Sequence, residues 1–507
     1  MLTRRQFLWG VTASGLAYPI LTRAQEPDGL FRHGVASGDS QATSVMLWTR
    51  VTPPPGARSA EVRWEVAADA QMARIVRGGA VTTGPDRDFT VKVDARGLEP
   101  GRVYYYAFRS GGQRSAIGRT RTLPAAIDRL RLASVSCANY PAGYFNVYRI
   151  LAGREDLDAI VHLGDYIYEF ADGVYGDGKR LDRVPRPATE AVTLQDYRQR
   201  YATYRLDPDL QEAHRQHPFV AIWDDHELAN DAWRGGAQNH NPETGEGEWS
   251  VRRAAAWRAY MEWMPIREQP GDDIVLYRSL RFGTLADLVM LDTRSLRDRQ
   301  VAPDDLAGLA DPSRRVLGEA QESWLYDTMR ASAGAGVTWR LIGQQVLFST
   351  IVPAGRPVMF TDVWDAYRAE RGRILEFLAR ERARNVAILT GDLHSSWAFD
   401  VPRNPWGGYR PQTGVGSLAV ELVCPAISSP GLMTPEQSQT IAPALRVAVP
   451  SVKFLEGQGQ GYVLLDITRE RLRADWYHVA SVLERTTSER RAASFVCESG
   501  AAHLVPA

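Results

Sequence analysis

The stretch HLGDYIYE (residues 162–169) stands at the end of a short apolar run, LDAIVHL (157–163), which follows the charged segment GREDLD. A short apolar run with such flanks is typical of a buried strand in an α/β sheet. Because these sheets carry their chemistry just past the carboxyl ends of the strands, Asp165 and Tyr168 are expected there, in a turn opened by Gly164. Their oxygens are hard donors that suit Fe(III). Alone, the motif favours a plainer interpretation, in which Asp165 caps a turn and Tyr168 packs beneath it.

Three further apolar runs end in the same way. In RLRLASVSCANY (129–140) the apolar run is followed by Cys137. In FVAIWDDHE (219–227) it is followed by Asp225 and His226, and in VAILTGDLH (386–394) by Asp392 and His394. Helical spacing after the first run predicts a βαβ unit, which brings Cys137 and Asp165 to neighbouring loops of one edge. Oxygen, nitrogen and one sulfur donor around a common edge predict a site for two or three metal ions.

Two of these positions have plainer alternatives. Cys137 could be a buried, inert thiol, although its place at a strand end favours a ligand. Acidic residues at a helix N-terminus would explain Glu227, but they would not explain the Asp225–His226 pair beside it. Clustered carboxylates and imidazole are costly to bury unless they are paired or bind metal, and this favours a functional site.

Composition excludes several classes of protein. The chain has 507 residues, which is too long for one ordinary core and predicts two or three domains. Its 60 basic residues balance 60 acidic ones, which argues against sequence-specific nucleic-acid binding. Three cysteines argue against a disulfide framework. The sequence contains no Walker A loop, GxSxG, HExxH or zinc CxxC pair, so those chemistries have no support.

The first 25 residues have the pattern of a twin-arginine export signal. Arg4 and Arg5 precede Phe7 and a modest apolar stretch that is too short and too rich in Gly and Ser to cross a membrane. We therefore predict a signal peptide over 1–25, export by the twin-arginine machinery, a periplasmic or secreted protein and no integral membrane segment. The alternative is an ordinary basic N-terminus.

Four regions are predicted along the chain. After the signal, residues 26–124 form an all-β sandwich of the fibronectin or immunoglobulin type, because runs such as SVMLWTRV and RVYYYAFRS alternate with PPPG and LEPG turns. Residues 125–485 form an α/β catalytic domain, with amphipathic helices at 317–329 and 364–381 and a closing hairpin at 461–479. Residues 171–215 are expected to form a long loop and a polar helix at the rim of the site. The tail, 486–507, is expected to be poorly structured.

The order GDxxY, DHE, GDxH resembles the calcineurin-like metallophosphoesterases, whose corresponding sets are GDxxY, GNH[DE] and GHxH. Within them the chain resembles the PhoD alkaline phosphatase/phosphodiesterase family, from about residue 30 to 480. The stretches that carry the resemblance are GVASGDS (34–40), VMLWTR (45–50), SCANY (136–140), HLGDYIYE (162–169), WDDHELAND (223–231), LDTRSLRD (291–298), LGEAQESWL (317–325), WDAYRAER (364–371) and GDLHSSW (391–397).

The resemblance implies a four-layer αββα metallophosphoesterase domain behind the N-terminal β-sandwich, and a centre of Fe(III) and Ca(II). The iron would have four ligands: Cys137, Asp165, Tyr168 and His394. Asp165 would bridge to calcium. The calcium side would have Asp225 and Asp392, with Asn230 as a further calcium or phosphate contact. His226 would donate a proton to the leaving oxygen.

Two features depart from the wider superfamily. Cys137 stands where a DxH metal motif is usual, and Asp225 and Asp392 replace an Asn and a His. Carboxylates in these places favour calcium over zinc at the second position.

The predicted function is a secreted, metal-dependent phosphoric ester hydrolase that acts on phosphomonoesters or phosphodiesters. Its substrate could be a small phosphate ester, a phospholipid or a phosphodiester polymer. Two alternatives stand beside this prediction: a phospholipase D-like hydrolase of the same family, and a non-catalytic metal-binding surface module. The Asp225–His226 pair favours an enzyme, because a structural metal site does not need an unligated imidazole.

Overall fold

The computed structural model describes residues 29–268 and 274–507, so the predicted signal at 1–25 lies outside the described residues. The fold is mixed α/β. The strands are β1 (Val35–Gly38), β2 (Ser44–Arg50), β3 (Ala60–Ala67), β4 (Ile75–Thr83), β5 (Thr90–Arg96), β6 (Val103–Ser110), β7 (Gln113–Arg114), β8 (Gly118–Arg121), β9 (Leu130–Val135), β10 (Ala159–His162), β11 (Pro218–Ala221), β12 (Arg278–Phe282), β13 (Ala286–Met290), β14 (Trp339–Gln344), β15 (Val386–Thr390), β16 (Ser396–Pro402), β17 (Ser417–Val423), β18 (Val452–Glu456), β19 (Gly461–Ile467), β20 (Arg471–Val479), β21 (Glu489–Glu498) and β22 (Val505–Pro506). The helices are α1 (Asn146–Ala152), α2 (Leu194–Arg205), α3 (Pro208–Gln216), α4 (Trp249–Trp263), α5 (Leu306–Ala310), α6 (Gly318–Gly334), α7 (Arg368–Arg380) and α8 (Pro435–Ala448).

Within the described residues the strands form three sheets. The ten-stranded sheet has the order β22-β21-β20-β19-β9-β10-β11-β1-β2-β5, and the seven-stranded sheet has the order β12-β13-β14-β15-β17-β16-β18. A five-stranded sheet holds β4, β3, β6 and β7, with β8 paired to β6. The ten-stranded sheet thus contains strands from both sides of residue 124, because β1 pairs in parallel with β11. Gly38 permits this approach, since a Cβ there would lie 2.5 Å from the Phe219 carbonyl oxygen.

The site-bearing strands lie side by side in parallel. β9, α1 and β10 form the predicted βαβ unit, with Ile160 opposite Ala133 in the register, and this prediction is confirmed. β10 then pairs in parallel with β11, and in the other sheet β15 lies between β14 and β17, again in parallel. The carboxyl ends of these strands therefore meet at shared edges.

The seven-stranded sheet packs on both faces, as alternation along its strands requires. One face, which includes Leu288, Leu341 and Ala387, joins a core cluster with Leu132 and Ile160 of the ten-stranded sheet. The residues that follow these three, Val289, Ile342 and Ile388, belong to a second cluster with side chains of α6 and α7. Helices α1 to α4 contribute to the first cluster through residues such as Val147, Tyr197, Leu210 and Tyr260.

Several local predictions are confirmed and one is wrong. The helix predicted at 317–329 is α6, the helix at 364–381 is α7 after a short 3-10 turn, and the hairpin at 461–479 is β19 and β20. The expectation of a poorly structured end was wrong, because β21 pairs along the length of β20 and β22 pairs with β21. Phe495 and Cys497 are buried in the main core, and this burial fixes the strand.

No helix in the part of the chain that the structure describes is long and apolar enough to cross a membrane.

Candidate metal centre

Four loops, each directly after a parallel strand, bring the predicted residues together. Cys137 follows β9 and Asp165 follows β10; Asp225 and His226 follow β11; Asp392 and His394 follow β15. Three of these strands belong to the ten-stranded sheet and one to the seven-stranded sheet. The centre therefore lies between the two sheets, at the carboxyl ends of their parallel strands.

The loops hold these residues in a costly backbone conformation. Cys137, Asp165, Asp392 and His394 have φ angles of 63°, 55°, 62° and 50°. The left-handed region costs a non-glycine residue about 1–2 kcal/mol and is enriched at functional sites. Gly164, with φ of 107°, opens the turn before Asp165 as the sequence predicts. Four such residues around one point indicate that the loops are shaped for the site and not for their own stability.

The first part of the centre combines sulfur, nitrogen and oxygen donors. Possible ligand atoms of Cys137, Asp165 and His394 all lie within 4.8 Å of one another. The Tyr168 hydroxyl joins them, since it donates to Asp165 Oδ2 at 2.9 Å and lies 3.1 Å from His394 Nε2. The Ser429 hydroxyl donates to the same phenol oxygen at 2.8 Å.

Two further groups adjoin the first. Possible ligand atoms of Asp165, Asp225 and His226 lie within 4.8 Å of one another, and so do those of Asp224, Asp225 and Asp392. Asp165 belongs to the first and second groups, and Asp225 belongs to the second and third. Shared carboxylates between adjoining groups are the arrangement expected of bridged metal ions.

Unpartnered buried oxygens test whether the residues fit a cation. Asp165 Oδ1, Asp224 Oδ2 and Asp225 Oδ1 are buried and accept no hydrogen bond from the described residues. A buried carboxylate oxygen without a donor is costly, and a cation at this point would satisfy it. The donor set, a thiol, a phenol, an imidazole and carboxylates, suits iron on one side and an oxygen-seeking cation on the other.

The electrostatics of the protein groups lead to the same conclusion. Burial, followed by the negative charge of Asp165, raises the pKa of Cys137 and that of Tyr168 well above their ordinary values. Burial also raises the pKa of Asp392 well above its usual range, against the opposing charge of Arg294. A bound cation would favour the ionised form of each of these groups.

His226 is held by a carboxylate that the sequence interpretation did not assign. Its Nδ1 lies 2.8 Å from Glu169 Oε2, and Glu169 is fully buried. The imidazole also stacks on the Tyr168 ring, with centroids 4.2 Å apart. Burial lowers the pKa of His226, but the negative charges of Asp225, Glu169 and Asp165 outweigh it and hold that pKa well above its ordinary value. Because Nδ1 faces the Glu169 carboxylate, Nε2 is the ring nitrogen that remains for another partner.

Glu227 does not start a helix, which corrects the alternative considered for it. The residues after β11 form a turn, and the Glu227 carboxylate accepts the backbone N–H groups of Asp165, Tyr166 and Asp224 at 3.1, 2.6 and 2.8 Å. It thereby joins the loop after β10 to the loop after β11.

Three other residues of the centre were missed by sequence reasoning. Asp224 was passed over beside Asp225, although it belongs to the third group. Arg294 was given no role in the site, yet its buried side chain contacts Asp224, Asp225 and Asp392. Tyr175, from the predicted rim segment 171–215, lies with its hydroxyl 2.9 Å from His394 Nδ1. The one available signal was position, since Asp224 and Arg294 each follow an apolar strand.

Asn230 lies beside the centre, and its side chain turns to another partner. Its Nδ2 donates to Gln238 Oε1 at 3.1 Å, and its backbone N–H donates to Glu169 Oε1 at 2.6 Å. Its predicted role as a metal or phosphate contact stays a prediction.

Comparison with known proteins gives consistent matches. The family model described as PhoD-like phosphatase matches residues 132–476, and the model for the N-terminal domain of PhoD-like phosphatases matches residues 16–124. Alkaline phosphatase D of Bacillus subtilis (strain 168) is 36% identical over 486 residues, covering 92% of this chain and 80% of that protein. The solved structure titled "Structure of PhoD" superposes with a TM-score of 0.84 at 33% identity, over 95% of this chain and 93% of that one. The chain belongs to the PhoD-like phosphatase family.

Proposed function

We propose that this phosphoric ester hydrolase cleaves phosphomonoesters or phosphodiesters at a centre that holds Fe(III) and Ca(II). One observation carries the proposal. Three adjoining groups of ligand atoms share Asp165 and Asp225 and contain carboxylate oxygens that accept no hydrogen bond from the described residues. Neither a salt-bridged turn nor ordinary packing accounts for that arrangement.

The residues divide by the chemistry of their donors. The iron side would be held by four residues: Cys137, Asp165, Tyr168 and His394. The calcium side would be held by carboxylates: Asp165, Asp225 and Asp392, with Asp224 adjoining. Bound cations of this kind polarise phosphoryl oxygens and lower the pKa of a coordinated water.

His226 supplies the proton that the leaving oxygen needs. Glu169 accepts the Nδ1–H of the imidazole, so the ring is fixed in orientation and Nε2 carries the transferable proton. Stacking on Tyr168 holds the ring plane beside the centre. A metal-binding surface module would have no use for an imidazole oriented in this way, so this contact favours an enzyme.

We also propose the layer arrangement, the domain character and the export route of the protein. The two core clusters on opposite faces of the seven-stranded sheet support a four-layer αββα arrangement. The five-stranded sheet supports a β-sandwich character for residues 26–124. The pattern around Arg4 and Arg5 supports twin-arginine export to the periplasm or the medium.

The proposal is tested by the leaving-group dependence of a His226→Asn variant. Loss of a general acid should slow alkyl phosphate esters by about 10²–10⁴-fold. It should leave p-nitrophenyl esters nearly unaffected, because that leaving group needs little protonation. Initial rates on both ester classes, with metal content measured on the same samples, make the comparison.

His503→Asn is the matched control, since His503 contacts Asp400 and lies outside the centre. It should leave both rates unchanged. Equal losses on the two ester classes for His226→Asn, with metal retained, would show that His226 positions phosphate instead of donating a proton. Loss of metal would show that His226 is a ligand, which its place in the second group permits.

A further inference from the structure

Arg294 is a buried cation in contact with four carboxylates. Its side chain has no exposed surface, and its Nε donates to Asp224 Oδ1. Its Nη1 donates to Asp362 Oδ2 at 2.7 Å, and its Nη2 lies 3.3 Å from Asp225 Oδ1 and 3.6 Å from Asp392 Oδ1. Three of the four carboxylates are the members of the third ligand group.

Two of the three guanidinium nitrogens of Arg294 donate hydrogen bonds, and the third does not. Its Nε and Nη1 are hydrogen-bonded to Asp224 and Asp362, whereas Nη2 makes no hydrogen bond. Its interaction with Asp225 and Asp392 is therefore electrostatic and involves no hydrogen bond. Asp225 Oδ1 remains without a donor. A cation could bind this oxygen without displacing a hydrogen bond.

Without a cation, the closely spaced carboxylates of the third group, of which Asp224 and Asp225 are buried, would repel one another. Possible ligand oxygens of Asp224, Asp225 and Asp392 lie within 4.8 Å of one another, and the guanidinium of Arg294 contacts all three carboxylates. Like charges in a low-dielectric site interact far more strongly than at the surface. Something must compensate them in a chain that has not yet bound metal.

We infer that Arg294 is a positioning residue that serves as the internal counter-ion of the calcium side. It holds Asp224, Asp225 and Asp392 together before a cation arrives, so the chain can fold metal-free with the ligands already placed. The inference rests on the proposed metal centre. It assigns Arg294 no contact with substrate.

The inference predicts a stability loss that depends on calcium. Arg294→Met should lower the Tm of calcium-depleted protein by roughly 5 °C or more, because it leaves buried carboxylates uncompensated. In calcium-saturated protein the loss should be less than half as large, since the bound cation supplies the missing charge. Thermal unfolding of both variants with EDTA and with excess calcium measures this difference.

Arg297→Met is the matched control. Arg297 is equally buried, but it pairs with Asp362 at 3.0 Å and with Tyr367, and neither belongs to the ligand groups. Its loss of Tm should therefore be the same with and without calcium. Arg294→Lys, which keeps the charge, should recover part of the calcium-free Tm.

The outcomes separate the inference from the proposed function. Equal losses for Arg294→Met with and without calcium would overturn the inference and leave Arg294 a packing residue. A wild-type Tm that calcium does not raise would instead contradict the metal centre. If Arg294→Met does not fold, the double variant Arg294→Gln/Asp224→Asn, which removes one charge of each sign, should fold and show near-normal calcium-free stability; failure of that rescue also overturns the inference.

Discussion

At the scale of single residues, the proposed proton donor, His226, is held by the buried carboxylate of Glu169. Glu169 is the last residue of the HLGDYIYE stretch, and one of its oxygens faces His226 Nδ1. The other accepts the backbone N–H of Asn230 and the side-chain amide of Asn239. Glu169 thus orients the imidazole of His226 and contributes part of the negative charge that raises its pKa.

Glu169→Gln should shift the pH profile for esters with poor leaving groups. Loss of the negative charge lowers the pKa of His226. As the pH rises, the imidazole therefore loses its proton at a lower pH than in the wild type. The alkaline limb should move down by about one pH unit or more. Glu190→Gln is the control, because Glu190 bonds Asn239 and not His226. The pH dependence of the rate on an alkyl ester, measured for both variants, tests this prediction. An unchanged alkaline limb in Glu169→Gln would show that Glu169 does not set the pKa of the general acid.

The sequence identified the residues that follow strands and missed those that reach the centre from elsewhere. Cys137 and Asp392 were found because each ends an apolar run, and the structure places both in the ligand groups. Arg294 bonds Asp224 across 70 residues of chain, and Tyr175 reaches His394 across 219. Nothing in a local pattern encodes such a pairing, because it depends on how distant loops pack.

At the scale of elements, the turn after β10 sets how close two site loops come. Gly164 has φ of 107°, and a Cβ there would lie 2.4 Å from the Cβ of Asp224. Both the backbone conformation and the space therefore require glycine. The same turn places Asp165, which belongs to two of the ligand groups.

Gly164→Ala should therefore lower the content of bound metal as well as the stability of the protein. The left-handed conformation alone costs about 1–2 kcal/mol, and relieving the clash must also move Asp224 or Asp165. Gly173→Ala is the control, since Gly173 also has a positive φ, 86°, but open space around its Cβ position. We expect both variants to lose some stability and Gly164→Ala alone to lose bound metal. Equal metal content in the two variants would contradict this account of the turn.

Strong apolar runs made most elements predictable, whereas exposed strands were not. β10, β14 and β15 are fully buried strands, and β9 is buried except at Arg131; all four were recognised from apolar runs in the sequence. β4 was missed, because it is largely exposed and contains two glycines, which disfavour a strand. β21 was missed as well, since burial of its last residues against β20 fixes it and its first residues are charged.

At the scale of the whole molecule, the ligands come from two sheets that pack through one core. β9, β10 and β11 supply one part of the centre and β15 supplies the other, so the centre forms only when the sheets are joined. The continuation of the ten-stranded sheet into β1, β2 and β5 was not predictable, because strand partners across 180 residues leave no local trace. The central claim is therefore that this packing assembles a metal centre with Tyr168 as an iron ligand.

The measurement that tests this claim most directly is the visible absorption spectrum, with the metal content, of protein produced through the proposed twin-arginine route. Wild type should contain iron and calcium and show a tyrosinate-to-iron charge-transfer band, which Tyr168→Phe should abolish. Tyr201→Phe is the control, because the buried Tyr201 hydroxyl has no partner and lies in the core; it should leave the band unchanged. A colourless, metal-free and fully active wild type would contradict the account.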